Sequence, residues 1–344
     1  MLIDQQIAAI IQSQEPAIRR AFERGVAQIR DAASLAKIRD AVASGDIEQV
    51  LRIVDIDPAA FNEFRAALLK VYGDSGIATI QGQTWIYPDG TRAVVRWNSL
   101  SPRAEDFARQ IGTGLITNIT DDMATAVRNA VADGYAFGRS YNRIALDIVG
   151  RIGDNGRRSG GIIGLSAPQE QWVRNMRRYL EVWPDWPSIQ RMTRRDKRFD
   201  KIIREAYEQG KPLTQAQIDK IIGRYADRLL ERRGLTIART ETRKAAEEGK
   251  YEAWKQGLEK TGVPERFVIR TWVHTGRAVK DRPDHIAMNG SMLRGLQVPF
   301  ILPDGTAMLH PHDASYGASA KHTINCMCEA RYKIDRKGLR EWQG

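Results

Sequence analysis

Histidine and cysteine are scarce in this chain of 344 residues, and both are confined to one stretch. All five histidines and both cysteines lie between Trp272 and Cys328. The residues before Trp272 therefore contain no imidazole base and no thiolate ligand. We expect the specific chemistry of the chain, whether catalysis or metal binding, in this C-terminal window.

Long apolar runs and a signal sequence are also missing. No run approaches the ~18 apolar residues that cross a bilayer, and the first residues, Met1 to Gln5, lack the basic region of a signal peptide. Cys326 and Cys328 are separated by a single residue. They do not form a disulfide framework, because a disulfide between them would close a strained ring. We expect the protein to remain in the cytoplasm in which it is made.

Motifs of nucleotide chemistry are absent as well. The glycine-rich stretch 150–164 lacks the Lys-Ser/Thr pair of a phosphate-binding P-loop. No Glu-x-Glu or Gln-x-Glu pair occurs, so the acidic pair of an ADP-ribosyltransferase is missing. Both observations argue against an enzyme of either class.

The chain has an excess of positive charge, with 53 Lys and Arg against 42 Asp and Glu and a net charge of +11. Such an excess favours a polyanionic partner. The densest basic segment, residues 174–204, contains aromatic residues between its cations, a combination suited to phosphate contact and base stacking. We predict DNA contacts from Arg174, Arg177, Arg178, Arg191, Arg194, Arg195, Lys197 and Arg198. The alternative is a solvated face that pairs with an acidic neighbouring protein.

Hydrophobic periodicity predicts an α+β protein with a mainly α-helical N-terminal region and a small mixed α+β C-terminal domain. Residues 1–100 are predicted to be helical, with Pro16 dividing or kinking the first helix and a β-hairpin near 84–97. Residues 101–262 form a long-helix region that includes the basic segment 174–204. Its last helix is expected from Thr214 to about Gly257, with a break at Gly234. The C-terminal domain spans 263–335, and 336–344 is a tail.

The C-terminal domain is predicted to contain a strand at 266–273, a hairpin at 297–309 and a last strand at 324–332. Cys326 and Cys328 would then face the same side of that strand and direct both sulfurs at one ion. A structural zinc site would need two more ligands, from His274, Asp281, His285, His310 or His312, and we favour His285. The alternative is that both cysteines are buried as small apolar side chains.

The same window carries an ordered set of motif residues. In chain order the set comprises a Trp, a basic run ending in a His, a Gly, a Pro-Phe pair, a Pro-x-Asp and a closing Asn-Cys-x-Cys. The residues are Trp272, Lys280, Arg282, His285, Gly290, Pro299, Phe300, Pro311, Asp313, Asn325, Cys326 and Cys328. In order and spacing this set resembles the C-terminal domain of the phage Mu protein F-like head morphogenesis (minor capsid) family. The stretches 164–169 and 237–241 also resemble family positions, so the resemblance covers roughly residues 160–335.

The resemblance implies a non-enzymatic minor head protein, associated with the portal vertex and acting in capsid assembly, DNA packaging or DNA ejection. The implied partners are the portal protein, major capsid or scaffolding proteins and phage double-stranded DNA, with no membrane in the assembled head. The implied location is the virion, and the host cytoplasm during assembly. The sequence departs from the family at 277–279, where an Asp usually follows the Trp and this chain has Arg-Ala-Val.

The alternative function is that of a metal-dependent nuclease. His285, Asn289, His312 and Asn325 offer the residue types of a His-Asn-His nuclease, in which one His activates water and the others hold a divalent ion. Their spacing does not reproduce the compact ββα arrangement of that class. We therefore predict a catalytically inert protein. A domain of about 70 residues has a modest core, so we expect the 280–285 loop and the 325–328 segment to meet and hold it closed, with or without zinc.

Overall fold

The computed structural model describes residues 3–153, 156–181, 183–277 and 281–343. It is mainly helical, with small antiparallel sheets towards the C-terminus, and so confirms the predicted fold class. The chain divides into two compact units. The first unit comprises Met1–Arg20, Phe64–Gln110 and Thr236–Gly344, and the second comprises Ala21–Glu63 and Ile111–Leu235. Within the described ranges, no helix combines the length and the apolar character needed to span a membrane.

The α-helices of the described residues are, in chain order, α1 (Ile3–Ala32), α2 (Leu35–Ala43), α3 (Ile47–Val54), α4 (Asn62–Gly82), α5 (Pro102–Arg109), α6 (Thr117–Ala136), α7 (Tyr141–Val149), α8 (Ala167–Glu181), α9 (Trp186–Ile189), α10 (Asp200–Gln209), α11 (Gln215–Thr261), α12 (Pro283–Ala287), α13 (Ala320–Thr323) and α14 (Arg336–Gln343). The strands are β1 (Arg151–Ile152), β2 (Arg158–Ser159), β3 (Val268–Val273), β4 (Met292–Arg294), β5 (Phe300–Ile301), β6 (Ala307–Met308) and β7 (Glu329–Ile334). A π-helical turn, Gln110–Ile116, joins α5 to α6.

The second unit is a helical assembly in which α2 packs on α3 and α7, and α6 packs on α3, α7 and α8. Side-chain caps fix where its short helices begin. The Ser34 hydroxyl accepts the backbone N–H of Lys37 at the start of α2, and the Asp46 carboxylate accepts that of Gln49 at the start of α3. Between α7 and α8, in the glycine-rich stretch, β1 pairs antiparallel with β2.

The first unit contains the sheet in the order β4-β3-β7, with both neighbours antiparallel to β3. β3 is fully paired with β7, from Val268 opposite Ile334 to Val273 opposite Glu329. The predicted second hairpin is present as β5–β6, and a Pro-Asp-Gly turn ends at Gly305. Alternate residues of β3 are buried, as expected for a strand that packs one face against a core.

The C-terminal part of α11 covers the free edge of β7. The Ala330 N–H donates to a Glu247 carboxylate oxygen at 3.2 Å, and the Lys250 ammonium donates to the Ala330 carbonyl at 2.9 Å. Glu247 and Lys250 are themselves paired at 2.6 Å, and both are buried. An edge strand is a site for unwanted pairing with another chain, and this buried ion pair occupies its backbone groups.

Two long helices contain residues that were predicted to interrupt them. α1 runs through Pro16 as one helix, which is one of the two alternatives that the sequence left open. α11 has 47 residues and continues through Gly234, where a break was expected. A glycine inside a helix costs only about 1 kcal/mol relative to alanine. At Gly234 the missing side chain also allows close packing, because a Cβ atom there would lie 3.3 Å from the Phe22 ring.

Two predicted β elements differ in extent. In the region 84–97 the described backbone forms one bridge, Ile86 with Arg92, flanked by hydrogen bonds from Tyr87 to Thr91 and from Ala93 to Trp85. The last strand begins at Glu329, five residues later than predicted, so the cysteines precede β7. Both differences arise where side-chain interactions with other elements, invisible in local sequence, decide how far strand pairing extends.

Candidate metal centre

His285, Cys326 and Cys328 form a buried cluster in the first unit. The His285 Nδ1 atom lies 3.4 Å from the Cys326 sulfur and 3.5 Å from the Cys328 sulfur. All three donor atoms lie within 4.8 Å of one another, and none of the three residues is more than 4% exposed. The expected meeting of the 280–285 loop and the 325–328 segment is confirmed for its described residues, and Lys280 lies outside them.

Helix α12 presents His285 to the cysteines. Pro283 occupies its first turn, where the missing N–H has no intrahelical partner to lose. The preceding residue, Arg282, donates from its guanidinium to the Ile324 carbonyl, two residues before Cys326. The motif arginine therefore ties the histidine helix directly to the cysteine segment.

The cysteines lie in a turn rather than on the predicted strand. Helix α13 ends at Thr323, and Asn325 adopts a left-handed conformation with φ of 54°. The backbone N–H of Cys328 then donates to the Cys326 sulfur at 3.4 Å. The two sulfurs converge because this turn folds back on itself, and not because they share one face of a strand.

The pair of thiols is polarised. The pKa of Cys326 is lowered well below its usual value, because the Cys328 thiol donates to it and because His312 and His285 lie beside it. The pKa of Cys328 is raised by that same hydrogen bond and by burial. The pair therefore favours a thiolate on Cys326, which is the form that binds soft metal ions.

An aromatic core surrounds the cluster. The Trp272 ring packs edge-on against His285, with centroids 5.4 Å apart, and against Phe300 at 5.5 Å. The other side chains of this core are apolar: Met288, Leu302, Met308 and Ala318, with both cysteines. Three motif positions, the Trp, the Phe and the Cys pair, are therefore parts of one core.

The ring nitrogen of His285 that faces away from the cysteines contacts a chain of polar side chains. Its Nε2 atom lies 3.2 Å from Nδ1 of His322, and the two rings are stacked. The Nε2 atom of His322 lies 2.8 Å from an Asp304 oxygen, which also accepts from Lys321 at 2.8 Å. His322 and Asp304 were not predicted as site residues. His322 stands four residues before Cys326 in the histidine-rich window, and this proximity was the available signal.

The remaining histidines surround the cluster at different distances. The His274 Nδ1 atom lies 3.5 Å from the Cys328 sulfur, and its Nε2 atom lies 3.4 Å from Asp281. Burial lowers the pKa of His310, but neighbouring carboxylates, chiefly that of Glu248, outweigh this effect and raise the pKa to about 9. Its other ring nitrogen lies 3.0 Å from the Pro311 carbonyl.

His312 has a different environment. It is 1% exposed, and neither ring nitrogen has a hydrogen-bond partner among the described residues. Its backbone φ is 72°, a conformation that non-glycine residues rarely adopt. His312 lies between Pro311 and Asp313 in the sequence. The Asp313 carboxylate accepts hydrogen bonds from the backbone N–H groups of Leu309 and Ser315.

The other motif residues shape turns around the cluster. Gly290 has φ of 82° and donates its N–H to the Trp272 carbonyl, which returns the chain from α12 to β4. Pro299 leads into β5 directly before Phe300. Asn325 donates its backbone N–H to Thr240, whereas its side-chain oxygen accepts no hydrogen bond from the described residues.

The residues of the alternative nuclease lie in this same region, and three of them have the following surroundings. Asn289 accepts the backbone N–H of His274 through its side chain, and so has a structural contact. His285 and His312 are both 1% exposed. A cavity of about 380 Å³ reaches Cys328, and Glu15, Arg243 and Thr275 also line it.

The basic segment of the second unit divides into two groups. Arg177 is 3% exposed, and its guanidinium lies 2.6 Å from Asp147. Arg174 is paired with Glu170 at 2.8 Å, and Arg178 with Asp133 at 2.7 Å. The prediction that these arginines face DNA needs correction for Arg177, because its charge is inside the protein and matched by carboxylates.

The second group lies between α9 and α10. Arg195 is paired with Asp200 at 2.9 Å and donates to the Gln190 carbonyl, so it braces this connection. Arg198 forms an ion pair with Asp196 at 2.6 Å but remains largely exposed. Exposed side chains are also found at Arg191, Arg194 and Lys197. Together with Arg178, Lys201 and Arg204, which are also exposed, these four cations are the part of the segment that a phosphate backbone can reach.

Buried Arg270 was missed entirely by the sequence reasoning. It lies in the middle of β3, fully buried, and its guanidinium donates to the carbonyls of Gly295, Val298 and Leu309. It links the strand to the loops that precede β5 and follow β6.

Comparisons of the chain with protein family models, curated proteins and solved structures found no match.

Proposed function

We propose that this chain is a minor head protein of a tailed phage, similar to the Mu protein F-like head morphogenesis proteins. It would act at the portal vertex during head assembly, and exposed cations of the second unit would touch the packaged DNA. The supporting observation is the convergence of the motif. Trp272, His285, Phe300, Cys326 and Cys328 are spread over 57 residues of sequence and meet in one buried cluster.

This convergence supports the proposal because it gives the motif a physical cause. Ordered residues that share only a chance spacing have no reason to contact one another in the fold. Here Arg282 also binds the carbonyl of Ile324, so the basic run and the Cys segment are joined by a direct hydrogen bond. The motif therefore encodes one closed structural unit, which is what a domain that docks on other head proteins requires.

The test is co-assembly with the portal. The chain is expressed together with portal, major capsid and scaffolding proteins of a tailed phage, and heads are purified and analysed by mass spectrometry. We expect the chain in purified heads and in a complex with isolated portal rings. Heads that form normally without the chain, together with no binding to portal rings, would rule out the proposal.

The nuclease alternative has its own test. We expect supercoiled plasmid to remain intact when incubated with the protein and magnesium, manganese or zinc, because the donor atoms of the cluster are buried away from a phosphodiester. A His285→Ala variant serves as the control for contaminating nucleases. Nicking by the wild type that disappears in this variant would replace the head-protein proposal with the nuclease.

A further inference from the structure

We propose that Cys326, Cys328, His285 and His312 bind one Zn²⁺ ion, which closes the C-terminal core as a structural staple. This goes beyond the head-protein function and does not depend on it, because metal binding is measured on the purified chain alone. The proposal rests on the spacing of three donors, on the environment of the fourth and on the groups that orient His285.

The three clustered donors already have the separations of ligands to one ion. A tetrahedral Zn²⁺ with Zn–S of about 2.3 Å and Zn–N of about 2.0 Å places sulfur and nitrogen ligands about 3.5 Å apart. The His285 Nδ1 atom lies 3.4 Å from one sulfur and 3.5 Å from the other. An ion can therefore bind these three donors with α12 and the Asn325 turn in place, whereas His312 lies outside the group of donors within 4.8 Å of one another and would turn its ring towards the ion.

His312 is the best candidate for the fourth ligand. Buried polar groups are nearly always hydrogen-bonded, so a buried imidazole with two unpartnered nitrogens needs an explanation. Neither ring nitrogen of His312 has a hydrogen-bond partner among the described residues, and His312 is close enough to Cys326 to lower the pKa of that thiol. Its backbone φ of 72° is uncommon for a non-glycine residue, and such backbone conformations cluster at functional sites.

His274 is the competing ligand, because its Nδ1 atom lies 3.5 Å from the Cys328 sulfur. Its second nitrogen faces Asp281, and its backbone N–H is bound by Asn289, so its contacts are satisfied without an ion. It is also partly exposed, whereas His312 is buried. These differences favour His312, and the variants below separate the two.

Outer contacts fix the ring of His285 in the tautomer that zinc requires. If its Nδ1 lone pair faces the ion, its Nε2–H donates to Nδ1 of His322, and the Nε2–H of His322 donates to the Asp304 carboxylate. Each ring then carries one proton, and every nitrogen has a partner. Metal-bound histidines are commonly oriented by a carboxylate in this manner.

The donor set selects the metal. Two thiolates and two imidazoles suit Zn²⁺ in tetrahedral geometry, whereas Mg²⁺ and Ca²⁺ take oxygen ligands. Four protein ligands leave no open position for water, which is the mark of a structural rather than a catalytic site. The ion would join α12, the loop after β6 and the turn before β7, three segments whose shared apolar core is small.

The first experiment is to measure metal in the full-length chain, purified under reducing conditions and without an affinity tag that binds metal. We expect one zinc per chain. In the apo protein, Co²⁺ should give the visible bands of a tetrahedral ion and a thiolate-to-cobalt charge-transfer band, both abolished by added zinc. Zinc content far below one per chain, with no such band on cobalt addition, overturns the proposal.

Variants then assign the ligands. Cys326→Ser and His312→Ala should each lower zinc affinity by more than the roughly 10–100-fold that loss of an outer partner causes, and His322→Gln should fall within that range. His274→Ala should bind zinc and cobalt like the wild type. If His312→Ala binds normally and His274→Ala does not, the assignment of His312 is overturned.

Protection from hydrogen exchange shows whether the ion acts as a staple. A chelator should raise amide exchange in β3 and β7, while the peptides of α2 and α7 in the second unit remain protected, because bound metal contributes folding energy only where its ligands are. This measurement uses the wild-type chain and so does not depend on a variant that folds. Unchanged exchange after zinc removal overturns the structural role.

Discussion

The positively charged side chain of Arg270 is buried in the core of the first unit, where it donates hydrogen bonds to three backbone carbonyls. Burial lowers the pKa of its guanidinium, but the pKa of arginine is high enough that the group stays protonated. Its planar donors reach Gly295 and Val298 on one side and Leu309 on the other. The side chain thus replaces the backbone pairing that these loops lack.

We therefore predict that Arg270→Met destabilises the C-terminal core by at least about 3 kcal/mol, since each buried carbonyl left unpaired costs about 1–3 kcal/mol. Arg331→Met on β7 is the matched control, because that arginine is exposed and its ion pairs are expected to contribute less than about 1 kcal/mol. Hydrogen exchange of β3 and β7 measures both. Equal protection in the two variants would contradict the proposed role of Arg270.

Glu170 supports a prediction about pH in the second unit. It is fully buried beside Arg174, and burial raises its pKa from 4.5 to about 7, more than the arginine lowers it. Between these two values the folded protein binds the proton and the unfolded chain does not. The free energy of unfolding contributed by Glu170 therefore falls as pH rises from about 4.5 to about 7.

Substitution isolates this contribution. Glu170→Gln removes the titration, so the stability of the variant relative to the wild type should increase over that pH range, by on the order of 1–3 kcal/mol. Urea unfolding at several pH values, followed by hydrogen exchange of α8, measures the difference. A constant difference between variant and wild type would show that Glu170 is ionised throughout.

At the residue scale the sequence allowed part of the site to be predicted. The scarcity of histidine and cysteine elsewhere in the chain indicated that the site lies between Trp272 and Cys328. The order of the motif residues then led to the prediction that His285 contacts the cysteines. Arg177 and Arg270 were not predicted to be buried, because a charged residue is normally exposed. Only the fold supplies Asp147 and the loop carbonyls that make their burial tolerable.

At the scale of elements, α11 shows how glycine acts differently along one helix. A Cβ atom at Gly249 would lie 2.3 Å from the Tyr72 carbonyl oxygen, a backbone atom that cannot easily move. At Gly223 it would meet only the Gly160 Cα atom, at 3.5 Å, which is ordinary contact. In the sequence, both glycines are simply weak helix formers within a helical stretch. In the structure they differ in the space that is available for a side chain.

We predict that Gly249→Ala destabilises the first unit by about 1–3 kcal/mol, as overpacking does. Gly223→Ala, in the same helix, should stabilise the second unit by up to about 1 kcal/mol, because alanine is the better helix former. Thermal unfolding with hydrogen exchange of α11 compares them. Similar gains from both substitutions would mean that α4 can withdraw from Gly249 at little cost.

The extent of α11 and of β7 could be predicted less well than their existence. The capping box at Thr214, in which its hydroxyl and the Gln217 side chain each accept a backbone N–H from the other residue, fixes where α11 begins. At Gly234, where the helix continues, the Phe22 ring from far away in sequence leaves little room for a side chain. Likewise, β7 begins after Cys328 because the cysteine turn occupies the residues before it.

At the scale of the whole molecule, the net charge of +11 is larger than the exposed part of the basic segment alone can explain. Much of that segment is neutralised internally, through pairs such as Arg174 with Glu170 and Arg195 with Asp200. The composition therefore predicts a polyanionic partner, but it does not indicate which cations that partner contacts. Of the cations predicted to contact DNA, Arg178, Arg191, Arg194, Lys197 and Arg198 have exposed side chains.

These exposed cations yield a prediction about salt. Each phosphate neutralised by a cation releases counterions, so the logarithm of the DNA affinity should fall with the logarithm of salt by about 0.9 per contact. Reversal of Arg191, Arg194 and Lys197 to Glu should flatten that slope by roughly 2–3. Reversal of Lys37, Arg92 and Arg96, which are also exposed, makes the same change in net charge and should leave the slope nearly unchanged. Fluorescence anisotropy with unrelated duplexes measures both, and equal slopes for the two variants would mean that total charge, rather than this segment, attracts the DNA.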